Sequence, residues 1–194
     1  GKALQIAGVE RDTADVLEDI KKDMAFYRNS GGGITFSGGE ATAQPELLEY
    51  LSSRLYDMGF SLDIESCGYF EFERVRSALE RMDLIFMDLK HMDSALHEKF
   101  TGVPNERILE NFTRLADLGA NIFVRYPYIP GMNDDPAEKI AGFLSRWQQI
   151  EAELLPYHKL GNSKYRALEA QNVFEGTVPL KDEVEMLKKK YGFQ

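Results

Sequence analysis

The chain has 194 residues, 43% of them hydrophobic and 28% charged, enough apolar material for one domain with a core of its own. Its formal charge of −9, from 23 basic and 32 acidic residues, excludes non-specific nucleic-acid binding, which needs a basic face to displace phosphate counterions. No apolar run approaches the ~20 residues of a bilayer span, no signal-peptide pattern opens the chain, and the single cysteine, Cys67, excludes an internal disulfide framework. A cytoplasmic protein with no membrane partner is expected.

Apolar periodicity predicts a helix from about Asp12 to Asn29, with Val16, Leu17, Ile20 and Met24 on one face. Asp12 or Thr13 serves as its N-cap, and Gly31-Gly32-Gly33 stops it. Ile34-Thr35-Phe36-Ser37 reads as a short buried strand. Pro45 opens a helix striped with Leu47, Leu48, Leu51, Leu55 and Met58, and Gly59 closes it. Phe60, Leu62 and Ile64 alternate as a strand. A helix with Val75, Ala78 and Leu79 precedes the strand Leu84-Ile85-Phe86-Met87, and a helix with Ile108, Leu109, Phe112 and Leu115 precedes Ile122-Phe123-Val124. Asp135-Pro136 starts a helix bearing Ile140, Phe143, Leu144 and Trp147. The strand Ala152–Leu155, a looser tail over 158–179 and a terminal helix near 180–191 follow. Strands feeding crossover helices predict a parallel sheet, and the nearly continuous apolar strands predict burial on both faces. An open doubly wound sheet and a (β/α) barrel both satisfy this pattern, and nothing marks a second domain.

Unusual polar residues gather where these strands end. The groups are Ser37-Gly38-Gly39-Glu40, Glu65-Ser66-Cys67-Gly68, Asp88-Leu89-Lys90-His91, Arg125 before Pro127–Gly131, and Pro156-Tyr157-His158-Lys159. All lie at carboxyl ends, the edge where barrel active sites assemble. Glycines admit a ligand to backbone groups without a Cβ in the way. Glu40 offers an acceptor for an amino group, Lys90 and Arg125 offer donors for a carboxylate, and Asp88, Ser66 and His158 can bond sugar or base. A zwitterionic amino acid joined to a nucleoside fits that set.

Taken singly, each residue has a plainer reading. Gly38-Gly39-Glu40 could be a turn with a solvated acid, Glu65 and Asp88 helix caps, and Lys90 and Arg125 ion-pair partners of neighbouring acids. His158, His91 and His97 could be structural, Cys67 merely small and half-buried, Tyr126-Pro127-Tyr128 wall packing, and Asn133-Asp134-Asp135 a turn with a helix cap. No His/Cys spacing points to zinc.

Together the motifs resemble the radical S-adenosylmethionine activating enzymes of glycyl-radical enzymes, the pyruvate formate-lyase activating enzyme family. The resemblance rests on Gly31–Glu40, Asp88-Leu89-Lys90-His91-Met92-Asp93, Arg125 through Pro130-Gly131-Met132-Asn133-Asp134, and Leu154-Leu155-Pro156-Tyr157-His158-Lys159-Leu160-Gly161, in the family's order over nearly the whole chain. It implies an α/β fold, a partial (β/α)6 TIM-type barrel of about five parallel strands with flanking helices. It also implies S-adenosylmethionine held by Gly38, Gly39 and Glu40 at its amino group, with Ser66, Asp88, Lys90, Arg125 and His158 around its carboxylate and nucleoside, and a monovalent cation at Glu65 and Asp88. The reaction implied is reductive cleavage to a 5′-deoxyadenosyl radical, which takes hydrogen from a glycine of a pyruvate formate-lyase-like partner. A flavodoxin or ferredoxin-type protein would be the reductant.

Ala41 stands where the family has proline, which would loosen that loop, and Glu65 stands where aspartate is common. The family's four-iron cluster takes a Cys-x-x-x-Cys-x-x-Cys loop after the first barrel strand, and this chain has one cysteine. Gly1–Gly8 resembles the stretch after a ferredoxin-like insert. The expectation is therefore a single domain over residues 1–194, with 1–11 a remnant after an upstream cluster region, lacking the first strand and cluster loop. The cluster would belong to the longer protein, this chain alone would be inactive, and a sheet edge would be left uncovered. The rival readings are a radical enzyme acting on a small molecule or peptide, and a cluster-free binding module.

Overall fold

A computed structural model describes residues 9–134, 136–159 and 176–194; the predictions for Gly1–Gly8, Asp135, Leu160 and Gly161 lie outside them. Helices α1 (Thr13–Lys22) and α2 (Met24–Ser30) precede β1 (Gly33–Phe36), α3 (Pro45–Asp57), β2 (Ser61–Ser66), α4 (Phe72–Leu79) and β3 (Leu84–Asp88). Then come α5 (Ser94–Thr101), α6 (Glu106–Asp117), β4 (Ile122–Tyr128), α7 (Pro136–Leu144), β5 (Glu151–Pro156) and α8 (Lys181–Tyr191). The five strands are parallel and lie in the order β1-β2-β3-β4-β5. That order removes the doubly wound alternative, because its strand order would have to reverse to put helices on both faces. Sequential crossovers instead put α3, α4, α6 and α7 against the same buried strand face.

Strand burial shows the same one-sidedness. In β4, Ile122, Val124, Tyr126 and Tyr128 are buried, and Phe123, Arg125 and Pro127 between them are half-exposed. The buried strand residues Ile64, Ile85, Met87, Val124 and Leu154 join Leu48, Val75, Ile108, Phe112, Ile140 and Val184 from the helices in one core. The expected burial of both faces does not hold. Phe86 and Phe123, which made those runs look uniformly apolar, lie half-exposed on the other face, edge to face at 5.7 Å.

The ends of the elements follow local chemistry. The Asp12 carboxylate accepts the Ala14 N–H at 2.8 Å and caps α1. Gly31 ends α2 at φ 69°, in the left-handed region that glycine enters freely. The single helix predicted over 12–29 breaks at Asp23, whose N–H turns back to the Ile20 and Lys21 carbonyls. Ile20, Met24 and Tyr27 still pack into one cluster with Leu17 and Leu55, so the apolar rhythm hides the break. Helix α5 has no counterpart in the apolar pattern, because Leu96 and Phe100 are exposed and its buried residue is His97. Trp147 lies beyond α7, its indole N–H on the Asp117 carboxylate at 2.9 Å. Strand β4 runs to Tyr128, so Arg125 sits within it rather than at its end.

The two sheet edges differ. Gln194 pairs with β5 through the Ala152 carbonyl, at 2.8 Å, and the Leu154 N–H, at 3.3 Å. Strand β1 has β2 as its one strand neighbour among the described residues.

Candidate functional site

The chain leaves β1 through a turn at Gly38, where φ is +115°, and neither Gly38 nor Gly39 has another atom within 4 Å of where a Cβ would stand. The backbone there opens to a ligand. Glu40 then caps the 3₁₀ turn Ala41–Ala43, its Oε1 accepting the Thr42 N–H at 3.3 Å and the Thr42 hydroxyl at 2.7 Å. The alanine at 41 thus heads an ordered turn. From β2, the Ser66 hydroxyl donates to Oε1 at 2.9 Å, and the Cys67 N–H donates to Oε2 at 2.8 Å. Burial by itself would raise the Glu40 pKa; bonds from Cys67, Thr42 and Ser66 outweigh it and hold the carboxyl below the usual glutamate range. Burial, and then the bond to Glu40, pushes the Cys67 thiol up, away from the thiolate form.

The loop that carries these donors is itself braced. The Asn111 amide on α6 donates to the Gly68 and Phe70 carbonyls, each at 2.9 Å. Gly68 lies at φ +78°, where a Cβ would come within 2.3 Å of Met87 Cε.

The other wall comes from β2, β3 and β4. Asp88 and Arg125 are register partners, and the guanidinium bonds Asp88 through Nε and Glu65 through Nη1, both at 3.0 Å. Lys90 Nζ lies 3.4 Å from the other Asp88 oxygen. The Arg125 guanidinium stands 5.6 Å over the Phe86 ring. Gly38, Gly39, Glu40, Glu65, Ser66, Asp88, Lys90 and Arg125 line one hollow of about 190 Å³ with Cys67. Of the residues singled out in the sequence, only His158 is not on that lining. It is exposed beyond β5, and the hollow draws its walls from the first four strands.

The plainer reading of Lys90 and Arg125 as ion-pair partners is met as well: the salt bridges and the hollow are one construction. Among the described residues no group of three or more His, Cys, Asp and Glu is arranged to hold a metal ion. Thr42 and Asn111 are structural parts of this site that sequence reasoning did not assign to it. Asn111 had a signal, as a polar residue within the buried stripe of Ile108, Phe112 and Leu115.

A parallel sheet in sequential order, covered by helices on one face and carrying a glycine-glutamate turn and a charged rim at its carboxyl edge, defines the class. A model of the Radical SAM superfamily matches residues 5–144, and the chain belongs to that superfamily. Its relatives are activating enzymes, in agreement with the motif resemblance. The choline trimethylamine-lyase activating enzyme of Oleidesulfovibrio alaskensis is 38% identical over 201 residues, covering 98% of this chain and 65% of its own. The trans-4-hydroxy-L-proline dehydratase activating enzyme of Clostridioides difficile is 38% identical over 168 residues, covering 84% and 56%. A solved domain of pyruvate-formate lyase-activating enzyme from Bacteroides vulgatus superposes with a TM-score of 0.68 at 27% identity, covering 84% of this chain and 96% of that one. The chain spans between 56% and 65% of the length of these two curated relatives.

The superfamily uses S-adenosylmethionine with a four-iron cluster. The hollow fits the first: open backbone beside Gly38 and Gly39, an ionised Glu40, and a guanidinium and ammonium opposite suit an amino-acid zwitterion. The residues of this chain do not fit the second, because three thiolates are needed and Cys67 is the one cysteine, with its thiol favoured.

Proposed function

We propose that this chain is the S-adenosylmethionine-binding part of an activating enzyme whose substrate is a glycyl-radical enzyme related to pyruvate formate-lyase. The observation that carries the reading is the convergence of Glu40, Asp88, Lys90 and Arg125 on one hollow. The charges also match. Glu40, Glu65 and Asp88 against Lys90 and Arg125 leave one net negative charge on the lining, whereas the sulfonium, ammonium and carboxylate of the cofactor leave one net positive charge. Glu40 and the backbone of Gly38 and Gly39 receive the ammonium, Arg125 and Lys90 the carboxylate, with Ser66 and Asp88 beside them; His158, exposed and off the lining, would meet the nucleoside where it projects past the hollow. A monovalent cation seated at Glu65 and Asp88 would take over oxygens now bonded to Arg125 and free its guanidinium for the methionine carboxylate.

When bound and reductively cleaved, the cofactor would supply a 5′-deoxyadenosyl radical for hydrogen abstraction from the partner's glycine. The residues here bind and orient the cofactor. Cys67 alone cannot supply a cluster's thiolates, so delivering the electron, from a flavodoxin or ferredoxin-type reductant, is not a role of these side chains. The absence of a helix long and apolar enough to cross a membrane among the described residues and the lone cysteine support a cytoplasmic setting.

Calorimetry of this chain with S-adenosylmethionine and with 5′-methylthioadenosine, which lacks the amino-acid end, tests the cofactor half. The whole cofactor should bind at least about 10-fold tighter, and equal affinities would overturn the assignment. Activation is read by electron paramagnetic resonance in the cluster-bearing protein, as a glycyl radical on pyruvate formate-lyase or choline trimethylamine-lyase. Deoxyadenosine released with no radical on either protein would favour a small-molecule radical enzyme.

A further inference from the structure

A second and larger cavity, about 640 Å³, opens between α5 and the loop that follows β4. Its size lies within the range of sites that hold organic ligands. Phe100, Pro127, Ile129 and Met132 form apolar walls, and its charged side chains are Lys90 and Lys99. No Asp or Glu lines it, in a chain with nine more acidic than basic residues. Lys99 is exposed and has no ion-pair partner among the described residues. Lys90 also lines the cofactor hollow, so the two spaces adjoin at that residue.

The cavity wall is rigid. The buried Asn133 amide donates to the Pro127 carbonyl at 2.6 Å and the Lys90 carbonyl at 3.1 Å, and its oxygen accepts the Ile129 N–H at 2.7 Å. It also supplies a neutral donor. His91 Nδ1 accepts the Asp93 N–H at 2.9 Å, which puts the proton of a neutral ring on Nε2. Burial pushes this histidine's pKa below its ordinary value and keeps the ring neutral. Nε2 has no protein partner among the described residues. With the Lys90 ammonium engaged by Asp88, the Lys99 ammonium over an apolar bed selects a carboxylate carried beside an apolar group. Leu96 and Phe100, one turn apart on α5 and 39% and 38% exposed, continue the apolar surface outside the cavity. A free organic acid would leave that surface uncovered; an extended segment of protein would cover it.

We propose that this groove is the docking site for the partner protein's target segment, with an apolar side chain set against Phe100 and Met132, an acidic one at Lys99, and its backbone led past Lys90 to the cofactor hollow. The proposal rests on the activating-enzyme reading above.

The probes are the fluorescein-labelled peptide Ser-Glu-Leu-Gly-Phe-Glu-Ser, its twin with glutamine for both glutamates, and 3-phenylpropanoate as competitor. Anisotropy should show this chain binding the acidic peptide about 5-fold tighter than its twin, the size of one partly exposed charge contact. Lys99→Glu should remove that preference, and Lys99→Gln should reduce it. Equal binding of the two peptides, or an unchanged preference in Lys99→Glu, would overturn the proposal. So would displacement by 3-phenylpropanoate at the peptide's own affinity, which would mark a small-acid site. Lys99 is not on the hollow's lining, so S-adenosylmethionine affinity should be the same in both variants. Loss of cofactor binding with the peptide preference intact would strike the cofactor assignment alone.

Discussion

Glu40 and Arg125 face the same hollow and are held in opposite ways. Glu40 is surrounded by neutral donors, the Thr42 hydroxyl in the turn after β1, and the Ser66 hydroxyl and Cys67 N–H at the end of β2. Those dipoles are fixed before any ligand arrives and keep a half-buried carboxylate ionised against the pull of burial. Arg125 is held by full charges on the two strands before its own, Asp88 on adjacent β3 and Glu65 on β2 beyond it. That arrangement is set by strand register, and its members can trade partners. One wall is thus preorganised by local geometry and the other is exchangeable, which suits the proposed division between a fixed place for a cofactor's ammonium and an adjustable one for its carboxylate.

The sharpest way to break the contrast is through the Glu40 wall. Gly68→Ala would force a Cβ to within 2.3 Å of Met87 Cε at a φ of +78°. A loss of about 1–3 kcal/mol is expected, chiefly from the backbone strain, since Met87 Cε is the free end of a side chain that can turn aside; urea unfolding midpoints read it. A midpoint equal to that of the parent would mean the loop simply moves. Glu40→Gln keeps the shape but turns an amide N–H₂ toward groups that all donate, at a cost of about 1–3 kcal/mol. The pH dependence gives this its sign. Because the folded pKa lies below the ordinary 4.5, the stabilisation is fully present above that value and is lost as pH falls through the depressed folded value. The gap in urea midpoint between parent and Glu40→Gln should therefore narrow as the pH is taken below 4.5, and a gap that widens on acidification would contradict the assignment. Arg125→Lys should do least to stability, less than about 1 kcal/mol and shrinking with added salt, since the acids it joins are partly exposed. The same variant should weaken S-adenosylmethionine binding through loss of the planar fork, so a drop in stability with affinity unchanged would make Arg125 a structural residue only.

Much of this was legible residue by residue. Asp12 and Gly31 marked real helix boundaries because capping and left-handed backbone are decided within a few residues. Glu40, Ser66, Asp88, Lys90 and Arg125 could be grouped because strand ends in a parallel sheet share one edge. Other features could not be read. The break at Asp23 is bridged by an unbroken apolar stripe. Helix α5 turns its apolar Leu96 and Phe100 outward and buries His97, against the pattern that marks a helix. His158, grouped with the rim by its place after β5, is not among the residues that line the hollow.

Chain order alone thus determined the alternation of strands and helices, most of their caps, and which chemical groups would stand at the rim, because each depends on neighbours within a turn or two. Whether the sheet would be covered on one face or two, which acid would hold Arg125, and that Lys90 would stand between a polar hollow and an apolar groove were decided only on folding. Those outcomes depend on strand order and register, which join residues tens of positions apart through contacts that no local pattern encodes.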